Sequence, residues 1–495
     1  MRDTMVLLVA GPLLGAAVAL LARRRRDVQR AVAVTTFALA LVGSVVLLVE
    51  VDGHGPLATQ VGDLPAPFGI TLVADLFTAI MLVVSSAMLL CVLVYAIGQR
   101  GTDTESTIFH PVYLILGTGI FLAFLAGDLF DLFVAFEVML TASYVLITLG
   151  ATREQVRSGM TYAVISLFAS MLFLIAVGLV YAATGTVNLA DLAEKISTVP
   201  SGLRTAFALL FLVVFGIKAA IFPLFFWLPD SYPTAPTPIT AIFAALLTKV
   251  GVYAMIRVET LVFLPDFGGP STLLLTIAGL TMLVGVLGAI AQNDIKRILS
   301  FHIVSQIGYM VLGLALFTVA GVAAAIFYIV HHIVVKTALF LSGGLVEHAT
   351  GTGALDRLSG LARSSPLLAL LFLLPALSLA GIPPFSGFVG KLALADAGFA
   401  ADRFVVVGVS LLVSLLTLFS MTKIWSGVFW GEVEPKPPVG ATRLRTPRLM
   451  TATTAVVVAM SLAIAVSARP IYDLSRRAAA DLLEPTAYVR EVLQR

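Results

Sequence analysis

Residues 215–249 read FGIKAAIFPLFFWLPDSYPTAPTPITAIFAALLTK, and residues 378–391 read SLAGIPPFSGFVGK. Both stretches are apolar enough for a membrane helix, yet prolines interrupt them and a lysine lies near each interruption. Proline removes a backbone donor and clashes with the preceding helical turn. Broken backbone at membrane depth persists only where protein or water satisfies its polar groups. The two stretches therefore predict a pair of broken membrane helices that surround a polar interior.

The composition of the whole chain supports a membrane protein. Of 495 residues, 59% are hydrophobic and only 12% are charged, whereas about a quarter are charged in an average soluble domain. So little polar surface cannot cover a soluble core of this size. The single cysteine, Cys91, excludes an internal disulfide and a cysteine-rich metal site. We expect an all-α, polytopic membrane protein.

An apolar helix of about 20 residues crosses the hydrocarbon core of a bilayer. On that scale the sequence predicts fourteen membrane helices. They lie near residues 5–22, 31–49, 72–98, 111–127, 129–149, 161–183, 203–222, 237–257, 270–291, 299–317, 320–343, 366–394, 403–430 and 449–468.

The two interruptions fall in the seventh and twelfth helices, which are five helices apart. Paired interruptions at corresponding places indicate an internal repeat around an ion site, although simple helix kinks are the alternative. Because five is odd, the second unit enters the membrane from the opposite side, so the repeats are inverted. The predicted segments are 1–110, 111–257, 258–430 and 431–495.

Basic residues in the short loops set the orientation. Arg23–Arg26 and Arg30 predict that the first loop is cytoplasmic, which puts the N-terminus on the outer side of the cell membrane. With fourteen spans, the C-terminus lies on the same outer side. The stretch 431–448 is predicted to be a basic cytoplasmic loop, and 473–495 a short polar tail. Gly185–Pro200 is mildly amphipathic and is expected to lie at the outer interface.

Lysines inside the membrane are the main functional signal. A lysine near the bilayer centre costs about 2.5–3.5 kcal/mol even on lenient insertion scales. Five lie within or near the predicted helices: Lys218, Lys249, Lys336, Lys391 and Lys423. Lys423 is near a helix end, where its amine can reach the interface, so we assign it a structural role. The other four predict a row of protonatable groups across two half-channels.

An acidic residue lies at similar depth. Glu137 is eight residues beyond Leu129 in its helix, roughly 12 Å inside. A glutamate and a lysine in a dry interior can hold or release a proton as the charge of their neighbours changes. We expect Glu137 to pair with Lys218. The alternative is a static ion pair that holds two helices together.

Three histidines accompany the lysine row. His331 and His332 point about 100° apart on a helix, so they cannot easily share one metal ion. His332 and Lys336 are four residues apart and share a helix face. His332 is therefore a candidate proton relay, with a satisfied buried histidine as the alternative. His302, at the start of its predicted span, is assigned to the membrane interface.

Other classes of function lack their motifs. The sequence contains no phosphate-binding G-x-x-x-x-G-K-[ST] loop and no dinucleotide fingerprint after a strand pattern. We expect no cofactor, no metal site and no nucleic-acid partner.

The chain resembles the antiporter-like subunits shared by respiratory complex I, membrane-bound hydrogenases and the multisubunit Mrp cation/proton antiporters. The motifs that carry the resemblance are FEVMLTASYVL at 136–146, the stretch quoted above at 215–249, HHIVVKTALF at 331–340 and GIPPFSGFVGKL at 381–392. Within this superfamily it is most similar to the D-type subunits of Mrp antiporters. It departs from complex I relatives in reading LPDSY at 228–232, where they usually read LPDAH, so Tyr232 replaces a histidine.

The resemblance implies roles for individual residues. Glu137 and Lys218 form a modulating pair, Lys249 and Lys336 relay protons with His332, and Lys391 is the exit group. It also implies that the protein acts with other membrane subunits and transports protons and sodium or potassium ions. The leading hypothesis is thus a proton-translocating antiporter subunit, which is not an enzyme. The alternatives are a pumping subunit of complex I or a hydrogenase, and a self-sufficient single-chain transporter.

Overall fold

The computed structural model describes residues 2–62, 64–99, 101, 103, 106–263, 271–431 and 446–494. In these ranges, 12 helices are long and apolar enough to cross a membrane, and two shorter apolar helices accompany them. Each of the fourteen predicted spans corresponds to one of these helices. The polytopic helical fold is therefore confirmed. Residues 432–445, most of the predicted basic loop, lie outside the described residues.

The chain begins with three helices and a hairpin. The five-residue strands pair antiparallel, with Leu57 opposite Ala74 and Val61 opposite Ile70. The third predicted span is therefore wrong at its start, because residues 70–74 form a strand. Its helix begins only after Asp75, whose carboxylate accepts a hydrogen bond from the backbone N–H of Thr78. The elements are α1 (Arg2–Leu21), α2 (Arg26–His54), β1 (Leu57–Val61), β2 (Ile70–Ala74) and α3 (Leu76–Gly98).

The next elements form the first five-span unit. The proline-rich stretch forms α9, α10 and the start of α11. A five-residue π-helical segment joins α10 to α11. The elements are α4 (Phe109–Leu125), α5 (Leu129–Ile147), α6 (Arg153–Thr184), α7 (Leu189–Lys195), α8 (Ser201–Ala219), α9 (Trp227–Ser231), α10 (Thr237–Ile242), the π segment (Phe243–Leu247) and α11 (Thr248–Leu261).

The second unit repeats this order. Its broken span consists of α16 and α17, and its longest helix, α14, has 32 residues, as does α6 in the first unit. The elements are α12 (Thr272–Ala291), α13 (Ile295–Ala315), α14 (Val319–Thr350), α15 (Leu361–Ser364), α16 (Pro366–Ala380), α17 (Ser386–Ala400) and α18 (Phe404–Val428).

Matching local structure supports the internal repeat. The long helix of each unit ends in the same turn, ATGT at 183–186 and ATGT at 349–352, and both glycines adopt the left-handed conformation. Asp128 and Asp294 each cap the helix that they precede with their own carboxylate. Both also form an isolated antiparallel bridge with the segment after that turn. The two units therefore share their local hydrogen-bonding pattern as well as their helix order.

Both broken helices are confirmed, and the local backbone explains each break. Helix α8 ends because Ala220 turns into the left-handed region, with φ 61°. Helix α16 ends at Gly381, with φ 86°, a conformation that glycine adopts without steric cost. The prolines that follow cannot restore the helical hydrogen bonds.

The core of the molecule runs along three helical spans. In the most apolar stretch of Thr237–Leu261, 100% of the residues are buried. The corresponding share is 94% in α13 and 89% in α14, against 28% in α2. These spans contain Lys249, His302, His332 and Lys336. The fold therefore surrounds the charged groups with protein and leaves the peripheral helices to face lipid.

The C-terminal residues form helices. The expectation of a plain polar tail at 473–495 is wrong in this respect, because apolar residues of these helices, such as Leu482 and Val492, are buried. Helix α20 packs on α14 and α3, and α21 packs on α7. The last elements are α19 (Arg448–Val466), α20 (Ala468–Leu483) and α21 (Thr486–Leu493).

Candidate functional site: a buried row of amines and imidazoles

Lys218 lies in the last turn of α8, directly before the break. Its Nζ donates to the backbone carbonyl of Ser166 at 3.2 Å and to Oγ of Ser170 at 3.1 Å, both on α6. It also lies 5.4 Å from the centroid of the Phe136 ring. The ammonium is thus held by α6 and by the face of an aromatic ring on α5.

Glu137 lies on α5, near Lys218 but not bonded to it. Within the described ranges, Lys218 forms no ion pair with this carboxylate, although the two are within electrostatic range. Lys218 uses acceptors on α6 instead. The static ion pair is therefore not formed between these two described residues, and the modulating role of the Glu137–Lys218 pair stays a prediction. Oε1 of Glu137 is buried and has no hydrogen-bond partner. The side chain lines a groove of 320 Å³ with residues of α4 and α5, including Ile115 and Thr141.

Lys249 is fully buried at the start of α11. Its Nζ donates to the carbonyl of Ala244 at 2.5 Å and to Oγ1 of Thr248 at 3.2 Å. Ala244 belongs to the π segment, so this irregular turn supplies the main-chain acceptor for the lysine.

The break in α8 packs directly on this helix. A Cβ added at Gly251 would lie 2.7 Å from the backbone N of Ala219 and 3.0 Å from the carbonyl carbon of Lys218. Only a glycine permits so close an approach of two backbones. The sequence therefore brings the end of α8 against the turn of α11 that follows Lys249.

Lys336 and His332 continue the row on α14. Both are fully buried, and Nζ of Lys336 donates to the carbonyl of Leu299 at 2.9 Å. Neither ring nitrogen of His332 has a hydrogen-bond partner in the described part of the chain. The ring lies within electrostatic range of Lys249 and Lys336. His332 therefore lies near both amines, and neither of its ring nitrogens is used by another described residue.

His331 points elsewhere, as the helical geometry predicts. Its Nδ1 lies 2.8 Å from Oγ of Ser386, the first residue of α17. The ring lies within electrostatic range of Lys391. Among the described residues, no group of three histidine, cysteine, aspartate or glutamate side chains is arranged to hold a metal ion.

His302 belongs to the interior, so its assignment to the interface is wrong. Helix α13 begins at Ile295, four residues before the predicted span, which puts His302 two turns inside the helix. The side chain is fully buried, and Nε2 lies 2.9 Å from Oγ of Ser420. It is within electrostatic range of both Lys336 and Lys391. His302 thus lies near both of the last two lysines of the row.

Lys391 uses the carbonyls that the second break leaves free. The last carbonyls of a helix have no partner within that helix. Nζ of Lys391 donates to the carbonyls of Leu379 and Ala380, the last residues of α16, and to Oγ of Ser414, each at 3.0 Å. It also lies 5.1 Å from the centroid of the Tyr309 ring. The break and the lysine therefore stabilise each other.

Lys423 has a different environment from the four lysines of the row. Its Nζ donates to the carbonyls of Ile290 at 2.8 Å and Gln292 at 2.7 Å, at the end of α12. A cation at a helix C-terminus satisfies orphaned carbonyls and complements the helix dipole. These contacts account for Lys423 as a helix cap.

A buried ion pair outside the row was missed in the sequence. The guanidinium of Arg257 donates to both carboxylate oxygens of Asp75, at 2.5 Å and 2.7 Å. Both side chains are about 5% exposed, and the ring of Tyr488 lies 5.3 Å from the guanidinium carbon. The pair joins α3, α11 and α21. The available signal was an arginine near the end of an apolar helix and an aspartate immediately before another.

Comparison with known proteins identifies the family. Residues 126–417 match the family model described as "NADH:quinone oxidoreductase/Mrp antiporter, TM". The chain belongs to this NADH:quinone oxidoreductase/Mrp antiporter family. A curated relative, the D-type subunit of the Na(+)/H(+) antiporter of Alkalihalophilus pseudofirmus, is 44% identical over 498 residues, which cover 100% of both chains.

Solved structures of the family show the same fold. A chain in the structure of the Mrp complex from Dietzia sp. DQ12-45-1b superposes with a TM-score of 0.91 at 34% identity, covering 99% of each chain. A chain of respiratory complex I from Thermus thermophilus superposes with a TM-score of 0.82 at 25% identity, covering 97% of this chain and 99% of that one. The resemblance inferred from the motifs is confirmed.

Proposed function

We propose that this protein is the proton-translocating membrane subunit of a multisubunit sodium(potassium)/proton antiporter. The observation that carries the proposal is the buried row itself. It runs from Lys218 through Lys249, His332, Lys336 and His302 to Lys391, across both repeats. The full-length similarity to a D-type antiporter subunit and to a chain of an Mrp complex supports the antiporter over other members of the family.

The row supplies the chemistry that proton transfer requires. Amines and imidazoles can each carry or release a proton, and from Lys249 to Lys391 the two types alternate along the row. Burial of several cations is costly, so a charge that enters the row favours the departure of another. Lys391 is the exit group, and Glu137 modulates Lys218 by its charge rather than by a direct hydrogen bond.

The open groove around Glu137 supports the need for other membrane subunits. A buried carboxylate oxygen without a partner is costly in hydrocarbon. The groove is on a face formed by α4 and α5, where another subunit can cover it. The protein is then one component of a hetero-oligomer in the cell membrane, with its N- and C-termini outside. We further propose that the chain divides at residues 110, 257 and 430 into the four segments expected from the sequence.

The proposal is tested by exchange measurements on the complete complex. Glu137→Ala and Lys218→Ala should each abolish sodium- or potassium-dependent collapse of a pH gradient in membrane vesicles. Lys195→Ala is the matched control, because Lys195 is 44% exposed and pairs with Asp191 at 2.8 Å, outside the row. Copurification of the partner subunits shows whether each variant assembles. Wild-type exchange by an assembled Glu137→Ala or Lys218→Ala complex would refute the assigned roles.

The second candidate is a redox-driven pumping subunit. The similarity to a chain of complex I favours it, and the same row would serve there. The subunits that copurify with the chain separate the two functions. Small membrane subunits support the antiporter, whereas NADH- or hydrogen-oxidising subunits support the redox complex.

A further inference from the structure

A small cavity lies beside Lys218, between α5, α6, α9 and the π segment. Its volume is 20 Å³, which is about the room that one water molecule needs. Four polar side chains line it: Tyr162, Ser166, Lys218 and Tyr232. Apolar side chains close the remainder, including Leu247 of the π segment. The cavity is therefore both large enough and polar enough for a water molecule.

Two of the lining groups have unused hydrogen-bonding capacity. Tyr232 is fully buried, and its hydroxyl has no partner in the described part of the chain. Lys218 uses two of its three ammonium hydrogens, for Ser166 and Ser170. A buried hydroxyl without a partner costs about 1–3 kcal/mol. One water molecule that bonds to both groups removes this cost.

Aromatic neighbours hold the ring of Tyr232 in place. Its ring lies 5.6 Å from the ring of Trp227 and 5.5 Å from that of Phe243. The backbone carbonyl of Tyr232 accepts a hydrogen bond from Oγ1 of Thr240 at 2.8 Å, which holds the residue in its turn. The phenol is therefore held in place by its neighbours at the wall of the cavity.

We propose that this cavity holds one water molecule that joins the Lys218 ammonium to the Tyr232 hydroxyl, and that Tyr232 positions this water to accept the proton that Lys218 releases. In this step an N–H bond of Lys218 breaks, the lysine becomes a neutral amine, and the water takes the proton. The excess proton then leaves toward the neutral amine of Lys249. The π segment lies next to both sites, because Leu247 lines the cavity and Ala244 accepts the hydrogen bond from Lys249.

The proposal rests on the proposed proton pathway, and its test separates the two. Tyr232→Phe removes only the hydroxyl and should lower the exchange rate of the assembled complex by about 10-fold or more. Tyr232→His restores a hydrogen-bonding group and should recover most of the rate. Tyr113→Phe is the matched control, because Tyr113 is equally buried and its hydroxyl donates to the carbonyl of Leu89 at 3.0 Å, away from the cavity.

A second measurement excludes a purely structural effect. In Tyr232→Phe, the ratio of exchange rates in H₂O and D₂O should rise, since proton release from Lys218 then limits the rate. A structural defect would lower the rate without raising this ratio. If Tyr232→Phe does not assemble, Leu247→Phe serves instead, because its larger ring fills the cavity and leaves the Tyr232 hydroxyl in place.

The outcomes are distinct. Loss of exchange in both Lys218→Ala and Tyr232→Phe, with recovery in Tyr232→His, supports the water site. Loss in Lys218→Ala with normal exchange in Tyr232→Phe overturns the water site and leaves the proton pathway standing. Normal exchange in Lys218→Ala overturns the pathway itself.

Discussion

Replacing Lys391 by arginine separates the structural role of this residue from its role in proton transfer. The guanidinium keeps a positive charge and several N–H donors for the carbonyls of Leu379 and Ala380, so the second break should stay intact. Arginine, however, holds its proton more tightly: its ordinary pKa exceeds that of lysine by about 2 units or more. The neutral form is then rarer by about 100-fold. We expect the Lys391→Arg complex to assemble normally and its exchange rate to fall by about 100-fold.

The companion variant Lys391→Ala should lose both exchange and stability. It leaves the carbonyl of Leu379 without its donor, whereas the carbonyl of Ala380 keeps a hydrogen bond from Oγ of Ser414 at 2.9 Å. At about 1–3 kcal/mol for an unsatisfied buried group, the loss of stability is about 1–3 kcal/mol. Thermal unfolding of the purified complex measures this loss, and vesicle exchange measures transport.

Lys423→Arg is the matched control for Lys391→Arg. Lys423 also donates to two backbone carbonyls at a helix end, but it is not part of the row. The Lys423→Arg complex should therefore keep the thermal stability and the exchange rate of the wild type. Exchange at the wild-type rate in an assembled Lys391→Arg complex would show that this residue need not release a proton, and the assignment of an exit group would fall.

Two further predictions concern the packing that supports the row. Gly251→Ala forces the end of α8 away from α11, since its Cβ would lie 2.7 Å from a backbone nitrogen; exchange and melting temperature should both fall. Gly279→Ala, whose Cβ would meet only a side-chain carbon at 3.9 Å, should change neither, and equal behaviour of the two variants would contradict the close-packing argument. Arg257→Ala leaves Asp75 as a buried, unpaired carboxylate and should destabilise the protein by about 3–5 kcal/mol. Arg257→Ala combined with Asp75→Asn should recover part of that loss in thermal unfolding, and no recovery would mean that the ion pair is not the cause.

The sequence was sufficient for the helices and the repeat, because both depend on strong local signals. Apolar length fixed the spans, and proline and glycine marked the two breaks. The hairpin was missed because residues 70–74 are apolar and run directly into α3, so length alone could not separate strand from helix. The π segment was missed because its five residues, 243–247, have the same apolar character as the helix around them.

The lysines of the site could be predicted, but their contacts could not. The energetic cost of a membrane charge identifies Lys218 and Lys391 from the sequence alone. Which acceptor each one uses depends on helices far away in the chain, such as α6 for Lys218. His302 was misplaced for a similar reason. The estimated span began too late, and Ser420, the residue that covers it, lies on α18.

The two breaks serve their lysines in different ways, and this asymmetry bears on the mechanism. Lys391 follows its break and donates all three ammonium hydrogens to protein acceptors, two of them carbonyls that the break exposes. Lys218 precedes its break and donates only two, to α6. A proton that leaves Lys391 must therefore come from a bond to a protein acceptor, whereas Lys218 retains a hydrogen for a mobile acceptor. We therefore expect the two breaks to contribute differently to proton transfer, since Lys391 donates to carbonyls of its own broken helix and Lys218 donates to α6.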